Sequence, residues 1–310
     1  MSQSFFVRPL TPTIGAQIDG IELREALRDE TLAALRKALL DYKVLFFRDQ
    51  DITTEQHLAF ARRFGQLEVH PFAPHKPGYP EVLAITHDEQ SPGYENTWHS
   101  DVTWRLEPSL GSVLRCIECP EVGGDTLFSD SYAAYDNLPA SLKERLCGLE
   151  ARHDFPHFRN SMRARGKSEE EIEAFNQRFP NPMHPVIRTH PETGRRAIYV
   201  NRAFTQEIVG MDLVESQEML QLLYRQAAKP EFQCRFHWEP NSIAFWDNRA
   251  CQHYATSDYW PAVRRVERVT IIGDKPFFRT SNESAEGDVS RYKGMVELSR
   301  TNEAAARVLS

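Results

Sequence analysis

Hydrophobic and polar residues follow two different periods along this chain, and these periods predict both strands and helices. In residues 5–22 apolar and polar side chains alternate, which predicts short strands and turns. Leucines at helical spacing, with acidic residues in the first turn, predict an amphipathic helix over 29–42. An apolar run predicts a buried strand at 44–47, and residues 54–64 predict a second helix that a glycine ends.

The rest of the chain is predicted to be rich in strands. Short strands broken by proline and glycine are predicted over 66–135, a charged helical insert over 167–178, and a helix with a Met and Leu stripe over 214–228. Further strands are predicted at 231–238, 242–247 and 263–272. No internal repeat is visible, and strands distributed between helices favour one mainly β domain with flanking helices. We expect this domain to span residues 1–279, followed by a polar C-terminal tail at 280–310.

Composition and charge narrow the class of protein. The chain has 310 residues, 41% of them hydrophobic, so it can bury a sizeable core. Its formal net charge of −7 argues against nucleic acid as a partner, because phosphate binding needs a basic surface. No run is as long as the roughly eighteen apolar residues of a membrane span, and the N-terminus lacks the apolar core of a signal peptide. We therefore expect a cytoplasmic protein with neither nucleic acid nor membrane as partner, and a homo-oligomer (dimer or tetramer) remains open.

The five cysteines are too few, and odd in number, for a disulfide framework. Cys116 and Cys119 form a C-x2-C pair, but no second pair lies at the spacing of a zinc ribbon. Packed thiols are the favoured interpretation, with a redox or zinc role as the alternative.

The best candidate for chemistry is the stretch His99-Ser100-Asp101. Side chains at i and i+2 of an extended strand point to the same face, so His99 and Asp101 could reach one metal ion. A third candidate ligand, His253, follows an apolar strand about half the chain away, which suits a barrel whose early and late strands are neighbours. Two histidines and one carboxylate leave three metal positions open, which is typical of non-haem Fe(II) oxygenases. An ordinary hydrogen-bonded pair in a strand is the alternative for His99 and Asp101.

A later strand, RRVERVTII at 264–272, predicts anion binding. By alternation Arg264 and Arg268 share one face, whereas Arg265 and Glu267 share the other. One face must cover the core, and a buried arginine needs an anion. Arg264 and Arg268 would lie roughly 13 Å apart, far enough to serve two anionic ligands at different depths. Ordinary surface ion pairs are the alternative.

Five motifs carry a family resemblance: WHSDVTW, GGDTLF, HPVIRTHPETGRRAIYVN, WDNRACQHYA and RRVERVTIIGDKPF. From about Val7 to Phe278 the chain resembles the taurine dioxygenase branch of the Fe(II)/2-oxoglutarate-dependent dioxygenases. The resemblance implies a double-stranded β-helix (a cupin-like jelly roll) flanked by helices, with Fe(II) as cofactor and 2-oxoglutarate and O2 as co-substrates. It also implies hydroxylation of a small anionic substrate at the carbon next to a sulfonate, in taurine or another organosulfonate, with release of sulfite, succinate and CO2.

The same resemblance implies roles for individual residues. His99, Asp101 and His253 match the iron ligands. Arg264 matches the arginine that pairs with the far carboxylate of 2-oxoglutarate. Thr126, which follows a glycine pair that permits close backbone approach, matches a hydroxyl that supports this carboxylate; from the residues alone, this is a generic turn.

The substrate positions agree with the family only in part. Three positions match those that hold the sulfonate: His70, the backbone around Val102, and Arg268. Phe204 matches an aromatic wall, but Ala73 replaces a tyrosine, and Tyr94-Glu95 replaces an Asp-Asn pair near the amine of taurine. We therefore expect an anionic head group with a different or larger tail, while Glu95 or Asn96 could still hold an ammonium. Without the resemblance, His70 would be interpreted as a loop residue before a proline.

Other substrates and other classes of protein remain as alternatives. The same chemistry on an alkyl sulfate ester or an aryloxy acid is the nearest alternative. A zinc hydrolase could use two histidines and a carboxylate, but it would not explain an inward Arg264. A non-catalytic jelly-roll binding protein would have no reason to keep all three candidate ligands.

Overall fold

Short β-strands form most of the fold, in keeping with the alternating pattern of the sequence. The computed structural model of the chain describes residues 5–280, apart from Phe72 and Tyr94. In the described part the helices are α1 (Asp29–Tyr42), α2 (Thr54–Arg62), α3 (Ser131–Asp136), α4 (Ala140–Leu146), α5 (Pro156–Ala164), α6 (Glu169–Arg178) and α7 (Leu213–Ala227). The strands are β1 (Phe6–Pro9), β2 (Ala16–Asp19), β3 (Val44–Phe47), β4 (His75–Lys76), β5 (Tyr79–His87), β6 (Ser109–Glu118), β7 (Thr126–Asp130), β8 (Glu150–His153), β9 (Met183–Pro185), β10 (Ile187–Thr189), β11 (Arg196–Ile198), β12 (Thr205–Ile208), β13 (Gln233–Phe236), β14 (Ile243–Asp247), β15 (Cys251–Ala255) and β16 (Arg264–Ile272).

Two sheets make up the centre of the fold. The larger sheet has the strand order β1-β2-β3-β14-β6-β16-β5-β4, and its neighbours are antiparallel except for β2 and β3. The smaller sheet has the order β13-β7-β15 and is antiparallel. Two further small sheets are formed by β12-β8-β9 and by β10-β11. Early strands thus lie beside late strands in both central sheets, which is the arrangement predicted for ligands far apart in sequence.

The larger sheet is covered on both faces because its central strands are apolar throughout. In β3, Phe46 stacks on Phe236 of the smaller sheet with ring centroids 4.1 Å apart, whereas Phe47 packs edge-on against Phe60 of α2 at 5.9 Å. One buried cluster fills the space between the two sheets, and another lies between the larger sheet and helices α1 and α2. Two packed sheets with flanking helices confirm the mainly β, jelly-roll fold class, and the sheets are not closed into a barrel.

The first two helices follow the sequence prediction closely. Helix α1 has the predicted bounds and buries a leucine face, and it ends at Lys43, whose φ of 65° is left-handed. The Lys43 ammonium is buried against Asp130 at 3.0 Å. Helix α2 begins at the predicted Thr54, after a capping box between Thr53 and Gln56, and ends at Arg62, two residues earlier than predicted.

The prediction was incomplete in the middle of the chain. Helices α3 and α4 were not predicted, and the helical insert predicted over 167–178 is one of a pair, α5 and α6. Helix α3 has only six residues, of which five are buried, so it shows no amphipathic period. Helix α5 begins with Pro156, which suits the first turn of a helix but resembles a loop signal in the sequence. Strand β15 was also missed.

Several predictions concern the whole chain. The single domain over 1–279 stays a prediction, and the tail at 280–310 lies, beyond Thr280, outside the described residues. No helix among residues 5–280, as far as they are described, is long and apolar enough to cross a membrane.

All five cysteines are free, with Cys116 buried and Cys119 half-buried, which confirms the interpretation as packed thiols.

Candidate active site

Three side chains that are distant in sequence meet where β15 lies beside the segment before β6. Nε2 of His99 and Nε2 of His253 each lie 3.8 Å from Oδ1 of Asp101. One ligand atom from each of the three residues lies within 4.8 Å of the others. The backbones of His99 and His253 pair through two hydrogen bonds of 3.1 and 2.8 Å, which fixes the two imidazoles side by side. The structure therefore brings together the three residues that the sequence analysis selected.

The local geometry differs from the predicted strand. His99 makes only an isolated bridge, and Asp101 lies in a turn that continues into Val102. Val102 has a φ of 49°, a left-handed conformation that a β-branched residue rarely adopts. The expectation that strand alternation aligns His99 and Asp101 was wrong, because a turn after the bridge directs the carboxylate toward the two imidazoles.

The protonation states of the three residues suit a divalent metal. Nδ1 of His99 lies 2.7 Å from the carbonyl oxygen of Thr97, which can only accept, so Nδ1 carries the proton and Nε2 is free to bind a metal. Burial, together with the neighbouring His99, lowers the pKa of His253 to about 3 and keeps it neutral. Burial opposes ionisation of Asp101, but the charge of Arg268 and the hydrogen bond from Ser112 favour its ionised form, and its pKa is lowered to about 2. Two imidazoles and one carboxylate are the ligand set of a non-haem iron(II) ion.

Strand β16 presents its arginines as predicted. Arg264 and Arg268 line the same cavity, while Arg265 points to the surface and pairs with Glu118 at 2.9 Å. Nη1 of Arg268 donates to Oδ1 of Asp101 at 2.8 Å. Nε of Arg268 has no hydrogen-bond partner among the residues that the structure describes, so this guanidinium keeps a donor for another anion.

One cavity, partly open to solvent, connects these groups. Its polar lining is His87, Glu95, His99, Thr126, His253, Arg264 and Arg268, and its apolar lining is Ile85, Leu114, Phe128, Trp246, Ala255 and Val266. Aliphatic and aromatic walls with a few convergent polar groups are typical of a small-molecule site. The cavity joins the candidate metal ligands to the two cationic side chains of β16.

Arg264 is the cation of this cavity that lacks a counterion. Its side chain is buried, and no carboxylate of the described residues lies within ion-pair distance. Thr126 accepts a hydrogen bond of 2.9 Å from the indole of Trp238, so its own hydroxyl proton can be donated elsewhere. Gly124 has a φ of 71°, and a Cβ there would lie 3.3 Å from the ring of Tyr259 and 3.5 Å from Cδ of Arg264. The predicted close backbone approach is therefore present beside Arg264.

His70 lies on the segment before β4, near enough to Asp101 and Arg268 for their charges to affect its pKa. Its Nδ1 accepts a hydrogen bond of 3.1 Å from the backbone N–H of Ala73. Burial, with a further contribution from the Arg268 charge, lowers the pKa of His70 to about 4. A neutral His70 with Nδ1 engaged as an acceptor carries its proton on Nε2.

An aromatic wall adjoins the candidate metal ligands. The ring of Phe204 lies edge-on to His99 with centroids 6.3 Å apart and contacts Phe155 at 5.4 Å. Phe204 and Val102 belong to one apolar cluster that continues to Trp104. The structure thus places Phe204 and Val102, both selected from the sequence, on one side of the candidate site.

Glu95 lies in the cavity but has a partner that the sequence did not reveal. Its Oε2 lies 3.1 Å from Nε2 of His87, and this contact raises the pKa of His87 above its ordinary value. His87 stands directly opposite Arg264 in the ladder between β5 and β16. Tyr94, the neighbour of Glu95, lies outside the described residues. The sequence analysis did not select His87. The pairing of β5 with β16 places it beside Arg264, but a single sequence does not show which residues of two strands pair.

Comparison with known proteins identifies the family. Residues 7–270 match the family described as "Taurine catabolism dioxygenase TauD, TfdA family". The chain is similar to the alpha-ketoglutarate-dependent sulfate ester dioxygenase of Pseudomonas putida (35% identity, covering 87% of this chain and 90% of the relative). It is also similar to the (S)-phenoxypropionate/alpha-ketoglutarate-dioxygenase of Sphingobium herbicidovorans (34% identity, 88% of this chain and 97% of the relative). A crystal structure of a taurine dioxygenase from Burkholderia xenovorans superposes with a TM-score of 0.76 at 37% identity, covering 89% of this chain and 93% of that chain.

The fold and the site define the class, a jelly-roll enzyme with a candidate two-histidine, one-carboxylate centre. The chain belongs to the TauD/TfdA dioxygenase family. It is an alpha-ketoglutarate-dependent dioxygenase, which confirms the resemblance inferred from the motifs. The zinc hydrolase and the non-catalytic binding protein are therefore wrong as alternatives.

Proposed function

We propose that the protein hydroxylates a small organic sulfate ester or sulfonate, using Fe(II) held by His99, Asp101 and His253. The observation that carries this proposal is that this ligand set adjoins a cavity lined by Arg264, an arginine that has no counterion among the described residues. When bound, iron(II) with 2-oxoglutarate and O2 supplies the oxidising power for C–H hydroxylation, with succinate and CO2 as co-products. Hydroxylation of the carbon that bears the sulfur group would give an unstable product that collapses to an aldehyde, with cleavage of the C–S bond and release of sulfite from a sulfonate, or cleavage of the C–O bond and release of sulfate from a sulfate ester.

Different residues of the chain bind the two anions, which are 2-oxoglutarate and the head group of the substrate. We assign Arg264 and the hydroxyl of Thr126 to the far carboxylate of 2-oxoglutarate, because Arg264 is buried and forms no ion pair with a carboxylate of the described residues. We assign Arg268, His70 and the backbone at Val102 to the anionic head of the substrate. Support for this second assignment is the Nε donor of Arg268, which has no hydrogen-bond partner in the described part of the chain, and the neutral state of His70. The buried walls exclude water from the reacting carbon.

The tail of the substrate is proposed to be apolar. Glu95, the one carboxylate that could receive an ammonium in the described lining, already contacts His87. Phe204 and Phe155 offer an aromatic wall beside the candidate metal ligands. An aliphatic sulfate ester or sulfonate fits these groups, and a relative at 35% identity is named as a sulfate ester dioxygenase. An aryloxy acid would also meet the aromatic wall, and it is the alternative that a substrate screen must include. A cytoplasmic location, the absence of nucleic acid as a partner and a homo-oligomeric state stay predictions from the sequence.

A matched pair of substrates tests this proposal. Taurine and ethanesulfonate differ only by the amine, so we expect ethanesulfonate to be used at least as well as taurine, with longer alkyl sulfonates and sulfate esters better still. A buried ammonium without a dedicated partner costs at least about 1–3 kcal/mol, the cost of a neutral unsatisfied group, or roughly 5- to 150-fold or more in kcat/KM. The measurement is substrate-dependent succinate formation, with sulfite and sulfate measured in parallel.

Two results would contradict the proposal at different levels. If taurine is used more than tenfold better than ethanesulfonate, the apolar tail is wrong but the reaction class stands. If aryloxy acids are the best substrates, the sulfur-containing head group is wrong.

A further inference from the structure

The side chain of Asn248 holds the backbone of the candidate metal ligand Asp101. Its Oδ1 accepts a hydrogen bond of 2.7 Å from the N–H of Asp101, and its Nδ2 donates to the carbonyl oxygen of Asp101 at 3.0 Å. Nδ2 also donates to the carbonyl oxygen of Ser109 at 3.3 Å. Asn248 is 1% exposed and Asp101 is 4% exposed, so water cannot substitute for these bonds without rearrangement.

Asp101 lies next to a residue in a strained conformation. Val102 has a φ of 49°, and a β-branched side chain in the left-handed region is strained. Such a conformation persists only where the surrounding structure holds it. The bonds from Asn248 fix both polar groups of the Asp101 peptide units, immediately before Val102, and so restrain this turn.

Asn248 is itself on a rigid support. It follows β14, whose last residue, Asp247, pairs with β6 in the larger sheet. The buried carboxylate of Asp247 accepts hydrogen bonds from His190 at 3.0 Å and from Arg249 at 2.7 and 2.9 Å. The backbone N–H of Asn248 donates to Leu110 of β6 at 2.8 Å. The larger sheet therefore holds Asn248 in place, and Asn248 in this way fixes the position of Asp101 relative to the sheet.

We propose that Asn248 is a positioning residue for the metal centre: its amide holds the strained Asp101–Val102 turn and so directs the Asp101 carboxylate toward the two imidazoles. This inference rests on the proposed function, since it assigns Asp101 as a metal ligand. Without the amide, the turn can relax and the buried N–H and carbonyl of Asp101 lose their partners. The carboxylate would then leave the position from which it faces His99 and His253.

The test is the affinity of the apoprotein for Co(II) alone, measured by competition with a chromogenic chelator. We expect the N248A variant to bind Co(II) about 10- to 100-fold more weakly than the wild type, as for other residues that orient metal ligands. The matched control is N137A, which removes another buried asparagine, one whose amide bonds to Gln226. N137A is expected to lose thermal stability but to keep the wild-type Co(II) affinity.

The V102G variant, used as a second background, distinguishes a specific effect of Asn248 on the Asp101–Val102 turn from a general loss of rigidity. Glycine adopts a positive φ without strain, so in a V102G protein the turn needs less restraint. We expect N248A to weaken Co(II) binding by a smaller factor in the V102G background than in the wild type. If N248A does not fold, the N248S variant, whose shorter side chain cannot span both groups of Asp101, is measured in its place.

The possible outcomes distinguish a failure of the positioning role of Asn248 from a failure of the proposed metal site. Wild-type Co(II) affinity in N248A or its substitute, an equal loss in N137A, or an equal loss in both backgrounds would each overturn the positioning role. If the wild type itself does not bind Co(II), or if H99A binds it as tightly, the proposed metal site fails and the positioning role fails with it.

Discussion

The D101A variant is expected to lose succinate formation almost completely. Asp101 is the one carboxylate in the cluster of ligand atoms found among the described residues, and its oxygen lies 3.8 Å from both imidazole nitrogens. Its removal also leaves the Arg268 guanidinium without its partner, close to the metal position. A lost ligand and an added positive charge both weaken metal binding. Since the metal contributes several kcal/mol to such reactions, we expect a decrease of roughly a thousandfold or more.

The matched control for D101A is D274A. Asp274 also pairs with a buried arginine, Arg188, at 2.9 Å, but it is not part of the cavity lining. We expect D274A to lower the unfolding temperature while succinate formation and iron content stay near wild-type values. Near-wild-type succinate formation by folded D101A would contradict the assignment of Asp101 as a ligand. If D101A and D274A lose succinate formation equally, the loss reflects reduced stability and not a missing ligand.

The R264A variant is expected to have the second-largest effect, on the binding of 2-oxoglutarate. Arg264 is buried, faces the cavity and has no counterion among the described residues, so we assign it to the far carboxylate of the co-substrate. Loss of one partner of a buried charge pair costs about 2–5 kcal/mol, or roughly 30- to several-thousand-fold in affinity. The measurement is the Kd for 2-oxoglutarate in the anaerobic Fe(II) protein, together with its KM in turnover.

The neighbouring arginine provides the control for R264A. Arg265 points away from the cavity and pairs with Glu118 on the surface, where both side chains are about half exposed. Exposed ion pairs contribute little, so R265A should change neither stability nor 2-oxoglutarate binding appreciably. An unchanged Kd in R264A, or an equal increase in R265A, would contradict the assignment of Arg264.

The sequence predicted those helices and strands in which buried residues recur at a regular spacing. Helix α1 has the predicted bounds because its leucines form one buried face, and β3 is recognisable because its four residues are all apolar and buried. Helix α3 was missed because almost all of its residues are buried, so no polar face marks its period. The alternation in β16 correctly separated Arg264 and Arg268 from Arg265, since one face of that strand covers the cavity.

The candidate site could be predicted where the side chains themselves carry the chemistry. His99, Asp101 and His253 were identified by their residue types and by motif resemblance, although the strand geometry first used to join His99 and Asp101 was wrong. Asn248 was not identified as a partner of Asp101, because it acts on backbone groups 147 residues away. The contact between Glu95 and His87 was missed for a similar reason: it depends on how the loop after β5 folds back on its strand.

The most direct test of the central claim is an anaerobic titration of the Fe(II)-loaded protein with 2-oxoglutarate. If His99, Asp101 and His253 hold iron beside Arg264, a weak visible metal-to-ligand charge-transfer band develops and saturates at one equivalent, and D101A shows no such band. If the intact, iron-loaded wild-type protein gives no band at saturating 2-oxoglutarate, the proposed centre is contradicted.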